Sequence, residues 1–579
     1  MKRLTKMILS LLTASSLIAC GGGNAPASSG SAGTASGASA ATTEAAAPAA
    51  SAETSAAAPA GNANESVVGM SGGLTTGDQV TSGLEGITSS KDTLAIRMDS
   101  DPGTLDGLTT AIMNGTQILS IIDTTLMRTS YDQDLGMVYE VNTKYTIATD
   151  YEIADDNSKI TWTIRDNAKW SDGKPVTVDD ILYSIKRYEA NSRYAFIDYA
   201  NLKKIDETHF EVPLLTADAN ALTMIGSMAL VQQETHEKIG NDAYFTTPQF
   251  VSNGAYKITD WVAGDSMKLE AVDDYFGGTP KIKNILIRFI PEASVAMMEL
   301  ETGGIDLIDI PNWTDVSNVI NGQYEGVAKH LQLPDMLHTM VGYNLSSDSP
   351  CGDLKVRQAI AYAIDREVIA LGAYEGVGQV AMTFFSNNVE NIKVFSDEEW
   401  PYHKDLDKAK ELLKEAGYEN GFEMTILTNQ DANRSMAAQI VKSQLAEIGI
   451  TANIVNYDNA TYAATMSGET DSWDIWLRNW TTAGVCWNQY FTNIVEVNCH
   501  PNKDDATWQG YLDKAAKMAA EMDTAKRYAI EDDIQATIME DALYTYNLIA
   551  PIKHVILADG LKNVERCSYN WNMLDAYFE

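Results

Sequence analysis

The stretch WTIRDNAKWSDGKPVTVDDILYS, residues 162–184, carries signals for a strand, a tight turn and a helix start in one continuous segment. Apolar and polar side chains alternate from Ile160 to Ile164, which is the period of a half-buried strand. Asp172 and Pro175, with a glycine between them, are turn residues. The segment therefore predicts a strand that turns sharply into a helix.

Three carboxylates crowd this turn, and each has a local role. Asp172 belongs to the turn itself. Thr177 and Asp180 have the spacing of a capping box, in which a hydroxyl and a carboxylate satisfy the first free N–H groups of a helix. Asp179 lies at the positive end of the helix dipole. We therefore interpret these acids as structural and not as catalytic.

The same run closely resembles the signature of family 5 solute-binding proteins, the dipeptide- and oligopeptide-binding receptors of ABC importers. Phe276 stands where the family usually has Trp, and the resemblance extends over nearly all of the chain from about Thr93 to Val564. Further stretches are similar to family motifs: TLAIRMDSDPGTLDG at 93–107, NGAYKITDW at 253–261, SMKLEAVDDYFGGTPKI at 266–282 and VRQAIAYAIDR at 356–366.

This resemblance implies an α/β, two-lobed periplasmic-binding-protein-like fold of type II, with an extra domain and a ligand cleft between the lobes. A chain of this length also exceeds the ~250 to 300 residues at which one hydrophobic core stops growing. The expected regions are a signal peptide (1–19), a lipidated Cys with a linker (20–91), a first lobe (92–137, 250–335 and 550–579), an extra domain packed on it (138–249) and a second lobe (336–549).

The N-terminus has the form of a secretory leader. Lys2, Arg3 and Lys6 precede an apolar stretch from Met7 to about Ala19, which is shorter than the ~20 residues that span a bilayer. The leader ends in Leu-Ile-Ala-Cys, which resembles a bacterial lipobox. We therefore expect Cys20 to be lipidated and to anchor the protein on the outer side of the bacterial cell membrane.

From Gly21 to about Ser90 the chain is rich in Ala, Ser, Thr, Gly and Pro, so it buries too little apolar surface to offset its ordering entropy. As a flexible tether it has an r.m.s. span of roughly 45 Å. The run from Gly69 to Gly73 matches a G-x-S-x-G nucleophile elbow, but no amphipathic helix follows it. We treat that match as chance.

The formal net charge is −37, and about −40 once the leader is removed. Such a surface repels phosphates, so we expect no nucleic-acid partner. The seven His residues are scattered, with no H-E-x-x-H and no C-x-x-C, and we expect no metal and no cofactor.

Four cysteines follow Cys20, an even number that permits disulfides outside the cytoplasm. Cys486 and Cys499 would close a short loop, and we expect them to pair. Cys351 and Cys567 would be the remaining pair.

Two strand–helix–strand units occur in the chain, at about residues 284–310 and 422–458. A crossover of this length implies a parallel pair of strands, and ligands of open α/β sheets bind outside the carboxyl ends of such strands. One such end carries Arg434 at a helix start, where a guanidinium and free N–H groups would together hold a carboxylate. Arg434 also matches the family position at which an Arg holds a dipeptide's carboxylate. A surface Arg paired with a helix acid is the alternative.

A second strand end opens a loop from Trp480 to Tyr490. Its aromatic faces and amide groups suit a small-molecule cleft, and we expect Trp480, Trp487, Asn488 and Tyr490 to contact the ligand, with core packing as the alternative for each aromatic. Asn114, in a predicted loop after the first strand, is a candidate for the facing wall.

The sequence departs from the peptide-binding pattern in this loop. Family members usually have an Asp there that neutralises the ligand's ammonium group, whereas this chain has no acid between Trp480 and Asn493. A buried ammonium without a partner costs several kcal/mol. An oligosaccharide, which would stack on aromatic faces, is therefore an alternative ligand.

We expect a monomeric receptor that captures an oligopeptide or related solute and delivers it unaltered to an ABC permease and ATPase complex. The alternatives are an extracellular hydrolase that uses two carboxylates and an adhesin or surface scaffold. Against the hydrolase, no nucleophile–base arrangement is evident, so we expect the protein not to be an enzyme.

Overall fold

The computed structural model describes residues 89–108, 113–132, 136–333, 337–385, 391–468, 472–481, 486–550, 553–567 and 570–579. All of them belong to the compact unit Met70–Glu579. The leader, Cys20, linker residues 21–88 and the motif at Gly69 to Gly73 lie outside the described residues. At the end of the predicted linker, Ser90 donates its N–H to the Phe578 carbonyl at 3.0 Å. No described helix is both long and apolar enough to cross a membrane.

Most strands belong to three sheets. The first sheet has the order Ala328–Leu333, Lys553–Ala558, Leu307–Asp309, Thr93–Met98, Asn284–Phe289, Ser266–Ala271 and Tyr256–Val262. The second has the order Gln379–Val380, Thr545–Ala550, Leu337–Tyr343, Ile475–Thr481, Phe422–Asn429 and Ile450–Tyr457. The third has the order Ala148–Ile153, Lys159–Ile164, His209–Pro213 and Lys203–Lys204. Two-stranded pairs are Arg128–Asp132 with Gly136–Glu140, Leu561–Lys562 with Tyr577–Phe578, and Glu565–Cys567 with Asn570–Asn572.

Helices cover the sheets. The α-helices are Met113–Ile122, Val178–Lys186, Ala221–Gly226, Gln233–Ile239, Asn241–Phe245, Ala293–Glu301, Trp313–Ile320, Leu354–Ala363, Arg366–Ala373, Leu406–Glu415, Ala432–Ala446, Asn459–Ser467, Cys486–Gln489, Glu496–Asn498, Ala506–Ala520 and Thr524–Asp541. A π-helix spans Tyr490–Val495, and short 3-10 turns span Ser192–Tyr194, Tyr199–Asn201 and Pro350–Gly352.

The first strand–helix–strand unit has the predicted elements but a different neighbour relationship. The strands Asn284–Phe289 and Leu307–Asp309 both pair in parallel with Thr93–Met98, which lies between them. The expectation that the two strands pair directly with each other is therefore wrong. The connection through the helix Ala293–Glu301 therefore joins two strands that are separated by Thr93–Met98.

Arg97 ties the carboxyl ends of these three strands together. Its side chain is buried, and its Nε donates to the Ile290 carbonyl at 2.7 Å. Nη1 donates to the carbonyls of Asp309 (2.9 Å) and Ile310 (3.1 Å), and Nη2 donates to that of Pro291 (2.6 Å). One guanidinium thus satisfies carbonyl groups of two loops that would otherwise lack partners.

The second strand–helix–strand unit is confirmed. Phe422–Asn429 pairs in parallel with Ile450–Tyr457 on one side and with Ile475–Thr481 on the other. The helix Leu406–Glu415 begins after Asp405, whose side chain accepts from the Lys408 N–H, and ends before a glycine with positive φ. A side-chain cap and a glycine with positive φ thus mark the two ends of this helix.

The opening segment folds as predicted. The strand Lys159–Ile164 lies within the third sheet, and the helix Val178–Lys186 begins with a complete capping box of Thr177 and Asp180. The buried Asp180 carboxylate also accepts from Trp170 Nε1 (3.3 Å) and from the Gln233 N–H (2.9 Å). It therefore joins the turn, the helix start and a second helix.

The expected disulfides are not formed. Cys351, Cys499 and Cys567 are free, buried thiols. The chain from Cys486 to Asn498 is continuously helical, so its ends lie roughly 18 Å apart at ~1.5 Å of rise per residue. A disulfide joins Cα atoms less than about 7 Å apart, which explains why the Cys486–Cys499 pair is excluded.

Replacing Asp180 by alanine should destabilise the Val178–Lys186 helix far more than replacing Asp179. Asp180→Ala leaves buried donors on Trp170, Thr177 and Gln233 without an acceptor, for an expected loss of about 2–4 kcal/mol. The exposed Asp179 forms only a surface ion pair with Lys204, so Asp179→Ala should cost less than about 1 kcal/mol. Hydrogen exchange of this helix, followed by mass spectrometry, measures both losses. Equal losses would contradict the role assigned to Asp180.

Candidate functional site

The candidate site lies where two parallel strands of the second sheet end. Phe422–Asn429 and Ile475–Thr481 are paired at Ile426 with Ile475 and at Leu427 with Trp476. Asn429 ends the first strand, and the register of these pairs puts Arg478 of the second strand level with it. Both residues therefore lie towards the carboxyl ends of the two strands, which we call the strand-end edge. This is the edge at which α/β sheets present ligand-binding groups.

Arg434 lies in the first turn of the helix Ala432–Ala446, directly after this edge. Asp431 caps the helix by accepting the Arg434 N–H at 2.9 Å, and its other oxygen lies 3.5 Å from Arg434 Nη2. The Arg434 side chain is only 14% exposed, and its Nε is buried with no hydrogen-bond partner among the described residues. The expected alternative, an Arg paired with a helix acid, thus describes part of the observed geometry, but one buried donor remains unused.

Arg478 is a second cation at this edge, and the sequence analysis missed it. Its side chain is half-buried, whereas Ile475, Trp476 and Leu477 before it are buried. Burial lowers the pKa of Arg478, Tyr462 opposes that shift, and the positive charge of Arg434 lowers the pKa again. The position of Arg478 near the carboxyl end of a strand was the signal that could have identified it.

A short hydrogen-bonded chain forms the polar floor beside the arginines. Thr339 donates from its hydroxyl to Asn479 Oδ1 at 2.8 Å, and the Tyr374 hydroxyl lies 2.8 Å from the same Thr339 oxygen. Burial raises the pKa of Tyr374 to about 12, so this hydroxyl remains protonated at neutral pH. Because the Thr339 proton goes to Asn479, Tyr374 is the donor in its own contact.

Trp480 has the exposure expected of a ligand-contacting aromatic. It is half-buried and lies against His338 (centroids 5.7 Å apart), Phe385 (5.6 Å) and Tyr490 (5.9 Å). Asn488 is also half-buried, and its backbone carbonyl accepts from the Thr492 hydroxyl at 2.8 Å.

Trp487 and Tyr490 have no free face for a ligand in this structure. Both are fully buried, and Trp487 stacks on Phe384 while its Nε1 donates to Glu531 at 3.1 Å. The Tyr490 hydroxyl lies 3.0 Å from that of Thr545. Core packing, the alternative for these two aromatics, is the observed arrangement, because the helical course of the segment turns them inward beneath Trp480.

Asn114 is likewise committed to local contacts. It lies in the helix Met113–Ile122 and not in the predicted loop. Its buried amide donates to Asp99 Oδ1 (2.7 Å) and to the Ser100 carbonyl (2.6 Å), so it fixes the end of the first strand.

An aromatic contact joins the two lobes near the polar floor. Trp313, which begins a helix that follows a strand of the first sheet, lies 5.4 Å from Tyr374 in an edge-to-face arrangement. The same indole lies 5.0 Å from His554 of the first sheet. Trp313 therefore contacts side chains of both lobes.

A separate surface cavity of about 790 Å³ lies beyond Tyr343, at the opposite edge of the second sheet. Its polar lining is largely engaged: the buried Arg357 donates to the carbonyls of Ala542, Cys351 and Gly352. The strand-end edge is the better candidate because its guanidinium groups retain unused donors. Within the described residues, no group of His, Cys, Asp and Glu side chains is placed to hold a metal ion.

Comparison with known proteins identifies relatives of this chain. The oligopeptide-binding protein AppA of Bacillus subtilis (strain 168) is 27% identical over 465 residues, which cover 73% of this chain and 81% of that protein. The dipeptide-binding protein of Escherichia coli (strain K12) is 24% identical over 355 residues, which cover 55% of this chain and 64% of that protein. The structure of the periplasmic binding protein DppA from Helicobacter pylori in complex with a peptide superposes with a TM-score of 0.65 at 21% identity, covering 84% of this chain and 98% of that chain.

These similarities establish a two-lobed periplasmic-binding-protein fold. A family model described as bacterial extracellular solute-binding proteins, family 5, matches residues 142–496, which is more than half of the chain. The chain therefore belongs to the family 5 bacterial extracellular solute-binding proteins.

Proposed function

We propose that this protein captures a peptide in the cleft between its lobes and presents it to a membrane-embedded ABC permease with its ATPase. The similarity to an oligopeptide-binding and a dipeptide-binding protein supports the ligand class. The observation that carries the proposal is Arg434, a largely buried guanidinium at the strand-end edge with an unused Nε donor.

In this proposal Arg434 binds the terminal carboxylate of the peptide. Nε and Nη2 of one guanidinium match the two oxygens of a carboxylate in bidentate geometry. Asp431 holds the guanidinium in place from one side, because it both caps the helix and lies 3.5 Å from Nη2. Trp480 and Asn488 provide a half-exposed apolar face and an amide for the rest of the ligand.

Lobe closure converts this binding into a signal for the permease. A ligand shifts an open–closed equilibrium only by its differential affinity for the closed state. The ligand must therefore contact both lobes, and the Trp313–Tyr374 contact marks where the first lobe meets the floor of the site.

The protein is proposed to return its ligand unaltered, as a receptor and not as a hydrolase. The acids singled out in the sequence have structural partners: Asp180 caps a helix, and Asp172 accepts from the Lys174 N–H and from Gln232. Incubation with a tripeptide library and a glycan library tests this point. Unaltered peptides that raise the melting temperature would support the proposal. Stabilisation by glycans alone would mean that the ligand is a sugar and not a peptide. Accumulating cleavage products would refute the receptor function.

Arg434→Gln should weaken binding of any peptide that stabilises the wild type by tenfold or more, equivalent to about 1.4 kcal/mol. The amide cannot reproduce a bidentate ion pair. Lys442→Gln is the matched control, since it removes one positive charge from an exposed position of the same helix. Isothermal titration of the three proteins measures the difference, and equal affinities would remove Arg434 from the site.

We further propose that the receptor is monomeric and is held on the outer face of the cell membrane by acyl chains on Cys20. The cationic leader, its short apolar stretch and the Leu-Ile-Ala-Cys sequence support this anchor. The composition of residues 21–90 favours a flexible tether that lets the folded receptor reach its permease.

Cys20→Ala should move the protein from the membrane fraction to the soluble fraction, because no acyl chain is then attached. Ser10→Ala, which alters the same leader but not the acceptor, should leave the protein in the membrane. Fractionation together with metabolic labelling by a radioactive fatty acid measures both. Labelled, membrane-retained Cys20→Ala protein would contradict the anchor.

A further inference from the structure

Arg434 and Arg478 place two guanidinium groups at one edge of the second sheet with too little negative charge to balance them. Asp431 is the only carboxylate within ion-pair distance of either group among the described residues. The Arg478 side chain forms no hydrogen bond or ion pair with another residue in that part of the chain. With Asp431 counted, this edge carries one excess positive charge, although the whole chain has a net charge of −37.

The nearest acid along the Arg478 strand does not supply the missing charge. Asp474 lies four residues earlier, roughly 13 Å away at ~3.3 Å per residue in a strand. Its carboxylate accepts from the Ser349 hydroxyl (2.7 Å) and from the Thr425 N–H (2.8 Å) at the opposite edge. Asp474 is therefore a structural acid of that edge.

Three other buried arginines of this protein donate to backbone carbonyls. Arg97 and Arg357 each direct their guanidinium nitrogens to several backbone carbonyls. Arg366 donates to the Ala381 carbonyl and lies 4.0 Å from the Trp400 ring centre. Arg434 and Arg478 differ from these three arginines, since neither guanidinium donates to a backbone carbonyl among the described residues and each lies near the like charge of the other. Such an arrangement is unfavourable unless an anion completes it.

We infer that Arg434 and Arg478 bind two acidic groups of a single ligand, and that the site therefore selects peptides whose C-terminal residue is aspartate or glutamate. This inference rests on the proposed peptide-binding function. The main-chain and side-chain carboxylates of such a residue lie close together. Arg434 and Arg478 lie on a helix and a strand at the same strand-end edge, so one such residue suits both. Arg434 takes one carboxylate and Arg478 the other.

The charge of the ligand matches that of the site. A free-amine peptide with a C-terminal glutamate carries two negative charges and one positive charge. Its excess of one negative charge complements the excess positive charge at the strand-end edge. The segment between Trp480 and Asn493 contains no acid, so nothing there would offset the attraction.

Four peptides separate the position of the acid from its charge: Ala-Ala-Glu, Ala-Ala-Gln, Glu-Ala-Ala and the C-terminal amide of Ala-Ala-Glu. Isothermal titration of the wild type should give Ala-Ala-Glu at least a tenfold tighter Kd than the other three. Arg478→Gln should reduce its preference over Ala-Ala-Gln to about twofold or less while retaining Ala-Ala-Gln binding. Lys442→Gln should keep the full preference, because it removes one exposed charge elsewhere on the helix.

A second variant guards against a folding defect. Arg478→Lys keeps the charge but not the bidentate geometry, so it should retain part of the preference that Arg478→Gln loses. Thermal unfolding of both variants without ligand shows whether either is misfolded. If Arg478→Gln is misfolded, the peptide preferences of Arg478→Lys and Lys442→Gln test the inference instead.

The outcomes separate this inference from the proposed function. If wild type binds all four peptides equally, or Arg478→Gln keeps the preference, the inference is overturned and the peptide receptor stands. If no peptide binds but glutarate stabilises wild type more than Arg478→Gln, the paired-arginine site is supported and the peptide function is overturned. If neither peptide nor glutarate stabilises wild type, both are overturned.

Discussion

The buried guanidinium of Arg97 fixes the edge of the first lobe that faces the candidate site. It satisfies carbonyls at Ile290, Pro291, Asp309 and Ile310, which lie at or just after the ends of the two strands that flank Thr93–Met98. Each carbonyl left buried without a donor would cost about 1–3 kcal/mol. The second of these strands leads directly into the helix that begins at Trp313. The residue that contacts both lobes is thus positioned by hydrogen bonds made inside one of them.

The second lobe supports its binding edge with a buried aromatic layer. Trp487 and Tyr490 pack with Phe384 and Phe385 beneath the half-exposed Trp480. Side chains held in this way lose little further freedom when a ligand arrives, which favours a preorganised site. Of the three aromatic residues that the sequence analysis assigned to ligand contact, Trp480 is therefore half-exposed, whereas Trp487 and Tyr490 support it from the core.

Local signals in the sequence were sufficient to predict most individual helices and strands. They were insufficient to predict which strands lie next to one another. The Thr177–Asp180 capping box and the helix Leu406–Glu415 were predictable because caps and turn residues act over a few positions. The insertion of Thr93–Met98 between two strands that follow it by nearly 200 residues was not, because strand order is set by long-range packing. For the same reason Arg434 was found from its helix start, whereas Arg478 became evident only once the strand register placed it level with Asn429. Aromatic spacing alone also gave no way to separate Trp480 from Trp487, since it does not show that Trp480 ends up in a strand and Trp487 in the helix Cys486–Gln489.

Cys351, Cys499 and Cys567 are sealed from solvent as thiols. Burial raises the pKa of Cys499 and of Cys567 to about 12 and also raises that of Cys351, so thiolate, the form that reacts with oxidants, is scarce at neutral pH. No disulfide joins these three thiols, so noncovalent packing alone holds the described chain at these positions. Unfolding would expose the same thiols to oxidants, since their protection comes from burial. In the oxidising surroundings proposed for this receptor, the resistance of these thiols to oxidation therefore lasts as long as the folded state does.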